Sequence, residues 1–297
     1  MGQAYSEFPV WLLHALGVVF GPMLIPIVLT RLLQDSEGRR DYFRRLTDFR
    51  RIGAGWYGVV LLVFPLLSGL AALTDTLGGG AWPSFETAAG LLASPSRLLS
   101  FAVFTLFFGP IPEELGWRGY ALDRLQAKRS ALSASLILGV LWWLWHLPLY
   151  FIAGTYQHSE VGFGTLRFWL GSLSVVALSI LMTWIYNNTD RSTLSAVLVH
   201  FIVNFTGEFL NLLDRAEYYA AMWTVIAAMV VTAIWGPASL APRWQGAHQS
   251  DNESSRRVNH KASVLHCLPS DLHSTQGVRY RAPFFYHLDE SVDVLRR

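Results

Sequence analysis

The chain alternates long apolar stretches with short polar segments. Five stretches of 22 to 30 residues contain no Asp, Glu, Lys or Arg: 8–30, 52–74, 130–159, 168–189 and 218–242. A helix needs about 20 mostly apolar residues to cross the roughly 30 Å hydrocarbon core of a bilayer. The pattern therefore predicts five membrane-spanning helices.

Two further apolar stretches are shorter, and each ends at a glutamate. Residues 98–112 precede Glu113, and residues 192–207 precede Glu208. The distribution of basic residues decides whether they also span, because the cytoplasmic loops of membrane proteins are enriched in Lys and Arg. If both stretches span, the two strongly basic segments, 31–51 and 118–129, lie on the same side of the membrane. We therefore predict an all-α, polytopic transmembrane bundle of about seven spans, multi-pass in the cell membrane.

The same rule predicts the orientation and the domain organisation. With segment 31–51 in the cytoplasm, the N-terminus lies outside, the C-terminus lies in the cytoplasm, and the outer loops contain only three basic residues: Arg97, Arg167 and Arg215. From residue 245 onward the sequence becomes polar. We expect a transmembrane domain over residues 1–244 and a poorly ordered cytoplasmic tail over residues 245–297.

Composition agrees with a protein whose main partner is the lipid bilayer. Hydrophobic residues make up 52% of the 297 residues and charged residues 15%, against about 25% charged in an average soluble domain. The net charge of +2 provides no broad cationic surface, so a nucleic-acid partner is excluded. A single cysteine excludes an internal disulfide and a CxxC metal site.

The first group of ionisable residues at membrane depth follows two prolines. Pro110 and Pro112 interrupt the preceding helix and suit the first turn of a new one, which would begin just before Glu113 and Glu114. Because Glu114 and Arg118 are four residues apart, they share a helix face and can pair. Glu113 points about 100° away, so it remains available for proton transfer. A solvated ion pair at a helix end is the alternative interpretation.

The second and third groups contain histidines. His146 lies roughly 22 Å along a helix that starts at Ser130, if each residue adds 1.5 Å. It could be a structural histidine bonded to a carbonyl that Pro148 leaves unpaired. His200, Asn204 and Glu208 recur every four residues and form one stripe on a helix face, which could also serve only to bond neighbouring helices.

Together these groups fit two kinds of catalytic site. A carboxylate can take a proton from water while His or Asn side chains align the water and stabilise an oxyanion. The same groups could instead bind a divalent metal such as zinc, since two histidines and one glutamate are a common catalytic zinc set. Glu113, His146 and His200 would then be the ligands.

The order of these motifs resembles that of a known family. Glu113-Glu114-x-x-x-Arg118, then aromatic-x-x-x-His146 and His200-x-x-x-Asn204, on successive hydrophobic segments, are similar to the CAAX protease and bacteriocin-processing (CPBP, or Abi) family of intramembrane proteases. The resemblance covers about residues 95–215. The second motif usually begins with Phe, and Trp142 stands there in this chain.

The resemblance implies an intramembrane endopeptidase that acts on a peptide or protein substrate, which is prenylated in known members. It implies that Glu113 is the general base for water and that His200 helps to hold that water. His146 and Asn204 would stabilise the oxyanion, while Glu114 and Arg118 would support the geometry. The family is often described as metalloproteases, although a metal-free glutamate mechanism has also been argued for it.

Two other classes of protein remain open from the residues alone. The same polar site could bind a peptide or a lipid without turnover, as in an immunity protein. Buried Glu and His side chains also serve as proton relays in transporters, although the sequence has no inverted repeat that would favour a proton-coupled transporter.

Overall fold

The computed structural model describes residues 17, 19–212 and 214–242, and every regular element in these ranges is helical. The predicted all-α bundle is confirmed. Residues 8–16 and 18 of the stretch 8–30 and the whole of the predicted tail 245–297 lie outside the described residues.

Eleven α-helices make up the described bundle. They are α1 (Ile25–Leu33), α2 (Ser36–Thr47), α3 (Ala54–Leu77), α4 (Glu86–Leu92), α5 (Pro95–Phe107), α6 (Pro110–Gly116), α7 (Leu122–Gln126), α8 (Ala131–His146), α9 (Leu166–Asn188), α10 (Thr193–Leu210) and α11 (Asp214–Trp235). Short 3₁₀ turns cover Phe49–Arg51 and Leu147–Phe151, and π-helical turns cover Val19–Leu24, Trp117–Ala121 and Gln157–Val161.

Six segments in the described part of the chain are long and apolar enough to cross a membrane. They are Ala54–Leu77, Pro95–Gln126, Ala131–Phe151, Leu166–Asn188, Thr193–Leu210 and Arg215–Trp235, and a shorter apolar helix covers Gly21–Leu33. The two doubtful stretches, 98–112 and 192–207, both belong to spanning segments. Their glutamates do not end the spans: helix continues beyond Glu113 to residue 126 and beyond Glu208 to residue 210.

The basic segments meet at one end of the bundle. Arg45 on α2 and Arg191, just before α10, both bind the carboxylate of Asp123 on α7. At the opposite end, Asp75 on α3 pairs with Arg215 on α11. These contacts place segments 31–51 and 118–129 on the same side, as the spacing of the spans predicts.

The core is centred on α9, which packs against α3, α8 and α11. Leu181, Met182 and Ile185 on this helix are 0–1% exposed. Trp184 forms edge-on ring contacts with Trp56 and Trp235 at centroid distances of 5.0 and 5.1 Å. Between helices in lipid there is little hydrophobic driving force, so close van der Waals packing of this kind stabilises the bundle.

The N-terminal π-helical turn Val19–Leu24 lies directly on α6. A Cβ at Gly116 would be 2.9 Å from the Cα of Pro22 and would overlap its carbonyl oxygen. Glycine is therefore required at this crossing, and it allows the turn to cover the back of the helix that carries the two glutamates.

Candidate active site

The two glutamates lie in a helix that starts anew inside the bundle. Helix α5 ends at Phe107, and α6 begins at Pro110 after the buried Gly109. Both prolines fall in the first turn of α6, where their missing N–H groups leave no hydrogen bond unmade. Glu113 is 3% exposed and Glu114 is fully buried, so the solvated ion pair of the alternative interpretation is wrong.

Glu114 is bound by two basic side chains. Arg118 Nη1 donates to both carboxylate oxygens of Glu114, at 2.9 and 3.0 Å, and both side chains are 0% exposed. His200 Nδ1 lies 2.9 Å from Glu114 Oε1. The spacing predicts the first pair, whereas the contact with α10 joins residues 86 positions apart in the chain. Glu114 thus connects two of the three motifs.

Glu113 has a different partner, Trp142 on α8. Trp142 Nε1 donates to Glu113 Oε2 at 2.7 Å, and the tryptophan is 3% exposed. The Arg118 guanidinium lies 4.6 Å from the centre of the indole ring, within the range of a cation–π interaction. From the sequence alone, Trp142 is predicted only to be the aromatic residue of the second motif. Its position four residues before His146, on the same helix face, was the available signal.

His146 is the last residue of α8 and is half-buried. Its Nδ1 lies 2.9 Å from the carbonyl oxygen of Trp142. A carbonyl can only accept, so this Nδ1 carries a proton and donates. The Trp142 ring lies between the two histidines, with centroid distances of 6.1 Å to His146 and 5.2 Å to His200.

Asn204 lies one helical turn beyond His200, beside Glu113. A Cβ at Gly109 would be 3.6 Å from Asn204 Nδ2 and 3.8 Å from Glu113 Oε1, so both side chains border the space that this glycine leaves open. Glu208, the third member of the stripe on α10, is exposed. The stripe on α10 therefore does not stay buried as far as Glu208.

The three predicted zinc ligands are not gathered around one point. Among the side chains that the structure describes, no group of three His, Cys, Asp or Glu residues is placed to bind a metal together. The side chains that would have to turn already bond elsewhere: Glu113 to Trp142, and His200 to Glu114. In this arrangement the donor set does not fit a three-ligand zinc centre.

A cavity of about 440 Å³ opens beside the cluster. Its lining is mainly apolar and aromatic, with Trp143, Leu178 and Val203 among the contributors, and a polar end contains Arg167 and Glu217. Of the six candidate residues only His146 lines this cavity. The cavity therefore adjoins the carboxylate cluster on the His146 side and does not contain it.

Fold and site together define a multi-pass α-helical membrane protein that encloses a carboxylate–histidine cluster between its helices. Residues 95–206 match the family model of the type II CAAX prenyl endopeptidase Rce1-like proteins. This segment contains all six candidate residues: Glu113, Glu114, Arg118, His146, His200 and Asn204.

A curated relative extends the similarity beyond this segment. The chain is 29% identical over 228 residues to CAAX prenyl protease 2 of Methanococcus maripaludis, an alignment that covers 75% of this chain and 82% of the relative. The resemblance to CAAX prenyl proteases is confirmed: residues 95–206 are similar to the Rce1-like family, and 228 residues are similar to a CAAX prenyl protease. The link to bacteriocin processing stays a prediction.

Proposed function

We propose that this chain is an intramembrane endopeptidase that hydrolyses a peptide bond near the C-terminus of a prenylated substrate, with water activated by Glu113. The observation that carries the proposal is the division between the two adjacent glutamates. Glu114 is neutralised by Arg118, whereas Glu113 faces the tryptophan N–H of Trp142. Such a pair separates a structural carboxylate from one that can accept a proton.

The first step begins at Glu113. Its carboxylate, oriented by Trp142, takes a proton from water as the water oxygen bonds to the scissile carbonyl carbon. The tautomer of His200 that carries its proton on Nδ1 donates to Glu114, and its Nε2 can then accept from the same water and align it. The carbon–nitrogen bond then breaks, and the leaving amine receives the proton from Glu113.

Asn204 and His146 are the proposed hydrogen-bond donors to the oxyanion. They differ in whether donation depends on the protonation state of the side chain. The amide Nδ2 of Asn204 is always a donor. His146 already donates through Nδ1 to a backbone carbonyl, so its Nε2 can donate to an oxyanion only when the ring is protonated. Asn204 is therefore the donor that works in every protonation state.

Three observations support the substrate and the location. The curated relative is a CAAX prenyl protease, and the largely apolar cavity beside His146 suits a lipidated peptide. The clustering of basic segments at one end of the bundle supports a cytoplasmic position for that end. The division into a membrane domain 1–244 and a cytoplasmic tail 245–297 belongs to the same proposal.

The test is hydrolysis of a farnesylated CAAX-type peptide by the full chain in proteoliposomes, beside the same peptide without its lipid. Glu113→Gln should lower kcat by about 100-fold or more, as expected for loss of a general base. Glu208→Gln is the matched control, because Glu208 is an exposed glutamate outside the cluster. A wild type that binds the peptide without cleaving it, or a Glu113→Gln variant with full activity, would overturn the proposal.

A further inference from the structure

Asp123 lies outside the cluster yet connects the same two helical segments. Its Oδ2 accepts from Arg45 Nη1 at 2.5 Å, and its Oδ1 accepts from Arg191 Nε and the Tyr186 hydroxyl, both at 3.1 Å. Arg191 Nη2 also donates to Asp123. The carboxylate side chain is 14% exposed. Four hydrogen bonds from three side chains leave this carboxylate with little freedom to move.

The Asp123 contacts and the Glu114–His200 contact join the same two segments of chain at two separate points. Asp123 lies nine residues after Glu114, and Arg191 lies nine residues before His200. Both intervals are helical over most of their length and so span roughly 13 Å. Glu114 meets His200 at one end, and Asp123 meets Arg191 at the other.

Between these two contacts the segments remain packed together. A Cβ at Gly119 would be 3.5 Å from Cγ2 of Thr193, the first residue of α10. The turn that precedes α10 has a left-handed backbone conformation at two residues that are not glycine. Asp190 and Arg191 have φ values of +50° and +55°, and Arg51 Nη1 donates to the carbonyl of Asp190 at 2.9 Å. The start of α10 is therefore fixed by charged contacts as well as by packing.

The geometry points to Asp123 as a positioning residue, which sets the register of α10 against α6 and thereby keeps His200 and Asn204 beside the two glutamates. This inference rests on the proposed function for its effect on catalysis, and it adds a residue that no motif contains. Removing the charge of Asp123 leaves Arg45 paired with Asp41 and removes the ion pair that joins Arg191 to α7. The position of α10 along α6 then depends more on packing, and a small shift becomes less costly. A misplacement of about 1 Å can cost about 100-fold in rate.

The matched control is Asp75 at the opposite end of the bundle. Asp75 is 2% exposed and pairs with Arg215, so it also bridges two helices through a buried carboxylate. Neither of those helices, α3 and α11, carries a candidate site residue. If Asp123 has a merely structural role, Asp123→Asn and Asp75→Asn should change kcat and the His200 NMR signal to a similar extent. If Asp123 is a positioning residue, Asp123→Asn should change both and Asp75→Asn should change neither.

The experiment measures kcat and KM on the farnesylated peptide together with the ¹⁵N-histidine NMR spectrum of the labelled full chain. Asp123→Asn should lower kcat by about 10- to 100-fold with KM within about threefold. Asp123→Glu, which keeps the charge, should recover most of kcat. Arg191→Gln should resemble Asp123→Asn, and the double variant should add little, since both remove one interaction.

The NMR readout keeps the inference testable if the wild type cleaves no peptide. The His200 resonance is assigned by its loss in His200→Gln. It should move in Asp123→Asn and stay in place in Asp75→Asn. An unmoved His200 signal overturns the inference whether or not the protein is active, and so does a kcat for Asp123→Asn within twofold of an active wild type. Failure of the proposed function would instead appear as an inactive wild type with a displaced His200 signal in Asp123→Asn.

Discussion

Replacing Trp142 with phenylalanine tests whether the indole N–H positions the proposed base. The substitution removes the donor to Glu113 Oε2, which lies 2.7 Å away in a site where both side chains are 3% exposed. It retains an aromatic ring beside the Arg118 guanidinium. Phenylalanine is also the residue that usually begins this motif in the CAAX protease and bacteriocin-processing family. An aromatic ring without the N–H group is therefore compatible with such a site.

The expected magnitude follows from the strength of that hydrogen bond. Hydrogen bonds to charged groups contribute about 1.5–3 kcal/mol. At about 1.36 kcal/mol for each factor of ten, complete loss of the bond in the transition state would lower kcat/KM by about 10- to 150-fold. Water that enters the space of the lost ring could replace part of the bond, so we expect Trp142→Phe to fall near the lower end.

Trp184→Phe provides the control for a tryptophan that packs without donating. Trp184 is 7% exposed, and its Nε1 has no hydrogen-bond partner among the residues that the structure describes. Both variants should be compared by kcat/KM and by the thermal unfolding midpoint in detergent. If Trp142→Phe changes kcat/KM by less than about threefold, or no more than Trp184→Phe does, the tryptophan does not position the base.

Four further predictions follow from the described contacts. Gly109→Ala should lower kcat about tenfold without unfolding the protein, because the new methyl group would fit without overlap beside Asn204 Nδ2 and Glu113 Oε1 and would take up space next to the proposed base; unchanged kinetics would contradict this. Arg118→Met should reduce the free energy of unfolding by about 3–5 kcal/mol, since it leaves the buried Glu114 with His200 as its remaining partner. Adding Glu114→Gln should restore part of that loss, measured by denaturation in detergent. Elemental analysis should find well below one zinc per chain, and stoichiometric zinc that disappears in the histidine variants would show that the helices rearrange to bind metal. An impermeant maleimide should label Cys267 only after cells are permeabilised, whereas labelling of intact cells would reverse the proposed orientation.

What the sequence predicts well is local along the chain. Hydrophobic length locates the spans, and the four-residue spacing of Glu114 and Arg118 predicts their ion pair because one helix fixes both positions. The break before Glu113 is equally local, since proline has a fixed φ and no N–H. These rules need no knowledge of how one helix lies against another.

What the sequence does not predict depends on contacts between helices. Trp142 meets Glu113 across 29 residues and Arg45 meets Asp123 across 78, and no periodicity within a helix specifies its rotation against a neighbour. The exposure of Glu208 could not be predicted for a related reason. A spacing of four residues identifies a common face, but it does not say how far along the helix that face stays buried.

The close crossing at Gly116 constrains how related sequences can vary. Any larger residue at this position would collide with the backbone of Pro22, and backbone cannot be moved aside as a side chain can. A homologue with alanine or serine at the equivalent position must therefore shift or lose the N-terminal turn, and its site helix would be open to lipid on that side. Natural variation at one glycine can thus distinguish relatives with a covered site from relatives whose substrates enter by an additional route.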